Sequence, residues 1–456
     1  MNSTFNLDDT IAGIATPPGG AISIVRMSGG ESLPILKKIF SCAPAVESHK
    51  VYYGWIHDNS KKIDEVLVTV MLAPRTFTRQ DVVEINCHGS AYLASKILDL
   101  LLARGARAAW PGEFSARAFF NGRIDLSQAE AIMDMVNVSS ENAMRAGANQ
   151  LEGRLGRHIR KCSDTLLTIL ARIEMAIDYP EYDEADIMAC EIIPQITEIE
   201  AEIQKLVASA KQGRLIREGI KVCLIGPPNS GKSSLLNALL MQDRAIVTNI
   251  PGTTRDVLSE NVRIGDILLS LSDTAGIRES EDMVESLGVE RSLKEAEMAD
   301  LVVLVLDGSR EIAAGELVQL IASRENLLAV INKQDLAQRL DKTLLAQHVD
   351  KSRIFEISAK NHTGMDELCA KISNMFFGGN ITADDTPIIT ATRHKEALIH
   401  AAQALTSASM ALSTGECIDF AAIDLAAAHT ALSEITGETA DESLINKIFS
   451  EFCLGK

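Results

Sequence analysis

Gly226-Pro227-Pro228-Asn229-Ser230-Gly231-Lys232-Ser233 follows the apolar run Val222 to Ile225 and precedes Ser234-Leu235-Leu236-Asn237-Ala238-Leu239-Leu240. That order reads as strand, phosphate loop and helix. The glycines allow successive backbone N–H groups to curl around phosphate at a helix N-terminus, Lys232 adds a point charge, and the Ser233 hydroxyl suits magnesium. A parallel α/β nucleotide-binding domain is the fold this stretch predicts.

Four further signatures follow in the order a guanine-nucleotide domain requires. Thr253-Thr254 in Pro251-Gly252-Thr253-Thr254-Arg255-Asp256, just after Thr248-Asn249-Ile250, sits where a switch I threonine completes the magnesium shell. Asp273-Thr274-Ala275-Gly276 places a carboxylate for the metal's water and an amide that senses the γ-phosphate. Asn332-Lys333-Gln334-Asp335 sets base choice, because a carboxylate accepts two parallel hydrogen bonds from the guanine N1–H and amino group. Ser358-Ala359-Lys360 resembles the loop whose amide contacts the guanine O6. GTP is the expected nucleotide.

The position after the switch II glycine, a water-orienting glutamine in Ras-like proteins, is Ile277. An aliphatic group neither orients water nor relays a proton, so another base is needed. Glu285, at the start of the helical Val284-Glu285-Ser286-Leu287-Gly288, is a candidate. The transition-state charge is left to Arg255, Arg278 or a monovalent cation held by Asn229 and switch I carbonyls, and spacing does not choose among them.

At 456 residues, two or three domains are expected. The longest strictly apolar stretch near this domain, Leu301 to Leu306, is far short of a bilayer span, and Met1-Asn2-Ser3-Thr4 opens no signal peptide, so a cytoplasmic protein without a membrane anchor is expected. Eight scattered cysteines, Cys42, Cys87, Cys162, Cys190, Cys223, Cys369, Cys417 and Cys453, form no CxxC pair, which argues against a disulfide framework or zinc site. A net charge of −18 opposes nonspecific adhesion to nucleic acid. RNA binding would need a local basic patch or a partner.

Four segments are predicted: an α+β domain over residues 1–120, a first helical segment over 121–216, a P-loop G domain over 217–378 and a second helical segment over 379–456. Strand-like Ala21 to Val25, Val66 to Leu72 and Val82 to Cys87 alternate with helical Ala91 to Leu102. Helical spacing then links Leu166, Ile169, Leu170, Ile173 and Ile177, and later Ile196, Ile199, Ile203 and Leu206. The helical pattern resumes over Arg393 to Leu412 and Ile418 to Ile435. The Ala-rich second block is short of core alone and is expected to pack on the first, making the G domain an insertion. The fold class is therefore multidomain α/β and α+β with a discontinuous helical bundle.

Motifs beyond the G domain carry a resemblance over nearly the full chain. Asp9-Thr10-Ile11-Ala12, Ala15-Thr16-Pro17-Pro18-Gly19, Pro111-Gly112-Glu113-Phe114-Ser115-Ala116-Arg117-Ala118-Phe119, Asn121-Gly122-Arg123-Ile124-Asp125-Leu126-Ser127-Gln128, Leu432-Ser433-Glu434-Ile435-Thr436-Gly437-Glu438 and Cys453-Leu454-Gly455-Lys456 resemble the MnmE (TrmE) family of tRNA-modification GTPases. The resemblance implies a folate-binding N-terminal domain that dimerises, and a heterotetramer with an FAD-dependent partner of the MnmG (GidA) type. It implies an aminomethyl or carboxymethylaminomethyl group installed at C5 of the tRNA wobble uridine, with a 5-formyl or 5,10-methylene tetrahydrofolate donor. It further implies potassium held by Asn229, Thr248, Ile250 and Thr253, magnesium by Ser233 and Thr254, Glu285 as catalytic carboxylate, and a role for Cys453 in modification. Family folate positions fall on Arg26, Glu84, Arg123 and Lys456, chemistry suited to a pterin edge and an acidic glutamyl tail. Two departures stand out: Phe77-Thr78-Arg79-Gln80-Asp81 replaces the family's Phe-Thr-Gly-Glu-Asp, and the loop Pro17-Pro18-Gly19-Gly20-Ala21-Ile22 is one residue short. An Era- or EngA-like ribosome-assembly switch is the alternative, and neither a KH domain nor a second G domain is found to favour it. A GTP-regulated folate-binding protein without tRNA is a third reading.

Overall fold

Strand residues whose side chains alternate between a packed and an open face build the first sheet. In the computed structural model, which describes residues 7–17, 19–41, 46–178, 191–242, 260–264, 267–271, 296–321, 326–377, 387–414, 418–452 and 455, Val66, Val68 and Val70 are buried while Leu67 between them is exposed. The chain divides into two compact units, residues 1–136, 149–201 and 397–456 in one, and 137–148 with 202–396 in the other.

The first unit holds strands β1 (Ile11–Ile14), β2 (Ile22–Ser28), β3 (Lys50–Asp58), β4 (Lys61–Met71), β5 (Val82–His88) and β6 (Arg107–Ala108). Among the described residues they form a six-stranded sheet, β3-β4-β5-β2-β1-β6, antiparallel except for the β1–β6 pair. Helices Ser32–Ile39 and Ala91–Ala103 supply Ile35, Leu36, Ile39, Ile97 and Leu101 to a core with Val25, Met27, Val83 and Ile85. Each such burial contributes roughly 1.5–3 kcal/mol. The opposite face carries Arg26 and Glu84 in register and exposes Ile22, Val51, Tyr53 and Leu67.

In the same unit, helix Arg154–Asp178 buries Leu155, Ile159, Cys162, Leu166, Ile169 and Ile173 at alternating four- and three-residue steps. Helix Ile418–Thr436 does the same with Ala421, Leu425, Ala428, Leu432 and Ile435. The second block packs on the first, with the Ser163 and Ser433 hydroxyls 3.5 Å apart and Arg160 paired to Glu438 at 3.3 Å.

The second unit holds β7 (Ile220–Ile225), β8 (Glu260–Ile264), β9 (Ile267–Leu271), β10 (Leu301–Asp307), β11 (Leu327–Asn332) and β12 (Ile354–Glu356) in the order β12-β11-β10-β7-β9-β8 among the described residues. Only β8 runs antiparallel to its neighbour. β10 is buried from end to end, Val303 and Val305 entering one core and Val302, Leu304 and Leu306 the other. That is the pattern of a parallel strand covered on both faces. Helix Ile193–Glu218, whose first residues fall in the first unit, delivers Leu215 and Ile216 to the second unit's core. The four segments read from sequence and the two compact units thus divide the chain differently.

Candidate functional site

β7 ends at Ile225, and the chain turns through Gly226 into helix Lys232–Gln242. Gly226 has φ +145°, and a Cβ there would lie 2.1 Å from the Val305 carbonyl oxygen of β10. Gly231 has φ +97°, with a Cβ position 2.2 Å from Asn332 Nδ2. Both positions therefore demand glycine. Lys232 Nζ donates to the Gly226 and Pro227 carbonyls at 2.8 and 2.9 Å, and burial lowers its pKa from the ordinary lysine value. Among the described residues the buried Ser230 hydroxyl has no hydrogen-bond partner. Ser233 and Asn229 are exposed at the loop, and Asn229 takes a left-handed φ of +60°. The Lys232 cation and the exposed Ser233 hydroxyl are groups that could hold a magnesium–phosphate ligand at this loop.

One side chain ties the turn Asn332-Lys333-Gln334-Asp335 to this loop. Asn332 Nδ2 donates to the Ser230 carbonyl at 3.2 Å, while its Oδ1 accepts from the Lys333 and Ala359 amides at 2.8 and 3.1 Å. Lys333, at φ +64°, donates to the Asn229 carbonyl at 2.8 Å and to Asp307 Oδ2 at 2.7 Å. The Ser358 hydroxyl donates to Asp335 Oδ1 at 2.7 Å. That bond, then a backbone amide and the nearby Lys360 and Lys333 charges, hold the Asp335 carboxyl below its ordinary pKa. Its carboxylate is therefore anionic and free to accept further hydrogen bonds on its other oxygen.

Asp307 was not singled out from sequence. Burial acts to raise its pKa, and hydrogen bonds from Lys333 and Ser309 outweigh this and lower it. Ser309 holds it through its amide at 2.9 Å and hydroxyl at 2.6 Å. Its position at the end of an apolar strand was visible in the sequence, but its partner lies 26 residues on.

Thr248, Asn249, Ile250, Pro251, Gly252, Thr253, Thr254, Asp273, Thr274, Ala275, Gly276, Glu285, Cys453 and Lys456 lie outside the described residues.

In the first unit, Arg26 reaches Glu84 Oε1 through Nε and Nη2, both at 2.8 Å. Its Nη1 donates to the Gly455 carbonyl at 3.1 Å, and the guanidinium lies 5.6 Å from the Phe114 ring centroid. The two side chains are only partly exposed, at 26% and 22%, so a ligand can meet them. Arg123 is exposed on the turn after helix Glu113–Phe120, and among the described residues no bond joins it to this pair.

Beneath this face lies an ion network that sequence reading left unexplained. Arg117 is fully buried and donates to the Asp9 carbonyl at 2.6 Å, to Glu113 Oε1 at 3.0 Å and to Gln80 Oε1 at 3.0 Å, and it pairs with the Asp9 carboxylate. Arg107 bridges Asp9 and Glu113, and these carboxylates raise its pKa. The family-like stretches around Asp9 and Glu113 are thus braces between β1 and helix Glu113–Phe120. Asp125 is likewise a cap: it accepts from the Gln128 amide at 2.9 Å and Ser127 Oγ at 2.7 Å, and Arg160 pairs with it at 2.8 Å.

Among the described residues, no helix is long and apolar enough to cross a membrane. A family model described as GTP-binding protein TrmE N-terminus matches residues 10–123, and one described as MnmE helical domain matches residues 126–453. A protein of Enterococcus faecalis named tRNA modification GTPase MnmE is 46% identical over 466 residues, covering 100% of each chain. Proteins of the same name from Ligilactobacillus salivarius and Thermoanaerobacter pseudethanolicus are 45% and 46% identical, each alignment covering 98% of this chain and 98% and 99% of the relative.

Proposed function

The chain belongs to the MnmE (TrmE) family of tRNA-modification GTPases, and from that premise we propose how it works. It is a potassium-stimulated GTP hydrolase that acts with an FAD-dependent MnmG-type partner. Together they add an aminomethyl or carboxymethylaminomethyl group at C5 of the tRNA wobble uridine, with a tetrahydrofolate derivative as one-carbon donor. The chain works in the cytoplasm as a homodimer within a heterotetramer. It comprises an N-terminal folate-binding domain over residues 1–120, a helical domain over 121–216 and 379–456, and an inserted G domain over 217–378.

The observation that carries the GTPase reading is the Asn332 side chain, which locks the phosphate loop, the base-reading Lys333-Gln334-Asp335 and the Ser358-Ala359-Lys360 loop into one frame. Asp335 accepts from the guanine edge. The loop amides and Lys232 hold phosphate, whose oxygens replace the carbonyl partners of Lys232. Ser233, Thr254 and Asp273 would hold magnesium, which neutralises charge on the transferring phosphoryl group. Asn229, Thr248, Ile250 and Thr253 would hold potassium, supplying the cation that Ras-like proteins take from arginine. Glu285 orients the attacking water in place of a glutamine. At the N-terminal site Glu84, with Arg26 beside it, meets the pterin edge, while Arg123 and Lys456 meet carboxylates, and Cys453 takes part in modification.

The test joins hydrolysis to modification. A strain lacking this chain is complemented with wild type or Glu285→Ala, its tRNA nucleosides are analysed by mass spectrometry, and the purified proteins are assayed in potassium and sodium buffers. Wild type is expected to restore the wobble modification and hydrolyse GTP faster in potassium. Glu285→Ala is expected to bind GTP normally, hydrolyse it at least about a hundredfold more slowly and fail to complement. Normal wobble nucleosides in the uncomplemented strain would sink the modification reading, and equal rates in both salts would sink the potassium role.

A further inference from the structure

Two exposed arginines flank one turn of this acidic chain without an ion pair among the described residues. Arg79 donates through Nη1 to the Asn121 carbonyl at 2.8 Å, and among the described residues no acceptor meets its Nε or Nη2. The same Nη1 lies 3.5 Å from the Cβ position of Gly122, the residue before Arg123. Arg79 also holds a left-handed backbone at φ +57°, a conformation a bulky side chain rarely keeps without a use for it.

The turn belongs to the face that carries Arg26 and Glu84. Ser28 lies two residues beyond Arg26 on β2, so both side chains emerge on one side of the sheet. The Ser28 and Thr78 hydroxyls share a hydrogen bond of 2.7 Å, and Asn121 Nδ2 donates to the Thr78 carbonyl at 2.7 Å, fixing the loop on that side. Arg26 stacks on Phe114 near the start of helix Glu113–Phe120, and Arg79 is tied to Asn121 just beyond its end. Seven residues of helix separate the two guanidinium anchors by about 10 Å. A ligand with a flat, hydrogen-bonding head at Arg26–Glu84 and an anionic tail separated from it by a rigid spacer matches that spacing.

We propose that Arg79, together with Arg123, takes the carboxylates of the ligand's glutamyl tail, so that this chain favours folates carrying several glutamates. The proposal rests on the folate reading of the Arg26–Glu84 site. The mono- and triglutamate forms of 5-formyltetrahydrofolate, and a methyltetrahydropterin that lacks the glutamyl tail, are titrated calorimetrically into the full chain. The proteins are wild type, Arg79→Gly, whose glycine suits the left-handed backbone, and Arg79→Lys. Arg79→Gly is expected to weaken the triglutamate by about fivefold or more, the size of one partly screened charge pair, to weaken the monoglutamate less, and to leave the pterin unchanged. Arg79→Lys keeps most of the triglutamate affinity. If Arg79→Gly binds all three compounds as wild type does, or weakens all three equally, Arg79 is no tail contact and the proposal is overturned while the folate site stands. If wild type binds no folate, the site reading falls and the proposal with it.

Discussion

Arg117 has no exposure at all, so its charge is tolerated only because Asp9, Glu113 and Gln80 surround it. Asp9 feels opposing forces. Burial acts to raise its pKa, but hydrogen bonds and charge from Arg107 and Arg117 outweigh this and hold it below the ordinary 3.8. A carboxyl whose folded pKa is depressed contributes stability above its unfolded pKa and loses that contribution as pH falls through the folded value. The first unit should therefore lose stability below about pH 4. Asp9→Asn is expected to lower stability at pH 7 by about 1–3 kcal/mol, less than deletion of Arg117 would, and to flatten the acid limb of the profile. Urea unfolding of both proteins between pH 7 and 3 measures it, and parallel acid limbs would show that Asp9 is not the titrating group.

At the scale of elements, what was legible depended on whether a function is written in local sequence. The glycine-rich loop and the Asn332-to-Asp335 turn are built from adjacent residues, so their positions at the ends of β7 and β11 follow from the chain itself. The unbroken apolar run Leu301 to Leu306 is legible as β10 for the same reason. β3 was missed because Lys50, Gly54 and Asp58 dilute its alternation of Val51, Tyr53 and Trp55, and because its outward residues are themselves apolar. The short helix Glu442–Ser450 was missed too, although Asp441 caps it through the Leu444 amide. The Arg117 network was invisible because Asp9 lies 108 residues away. Packing between elements also explains why Gly226 cannot change: the loop passes against β10, not merely through a tight turn. Gly226→Ala is expected to keep β7 and the helical content, cost roughly 1–3 kcal/mol of stability and weaken GTP binding more than tenfold. Circular dichroism with a fluorescent-nucleotide titration reads both, and wild-type affinity in the variant would mean that β10 can yield to the new methyl.

For the whole molecule the question is how two cores share one chain. The N-terminal sheet packs on its own helices, whereas the parallel sheet has two separate apolar layers, so each unit has a core of its own. The second unit also holds its own entry and exit segments. Arg214 pairs with Asp300, whose other oxygen accepts from the Lys221 amide at 3.0 Å, and Ser209 Oγ accepts from the Ile389 amide at 3.1 Å. These bonds fix the last turns of helix Ile193–Glu218 to the starting ends of β7 and β10. The opposite ends of those strands lead into Gly226 and Asp307. Separate cores predict separate transitions in scanning calorimetry. GDP with magnesium at a hundredfold excess over its Kd should stabilise the transition of the unit containing residues 202–396 by about 2.7 kcal/mol, and 5-formyltetrahydrofolate should move the other. Because helix Ile193–Glu218 contributes residues to both units, Arg214→Ala should lower the nucleotide-sensitive transition without shifting the folate-sensitive one. One transition that both ligands raise together would instead mean that the shared helix makes the two cores a single cooperative unit, and that nucleotide binding is transmitted through its stability.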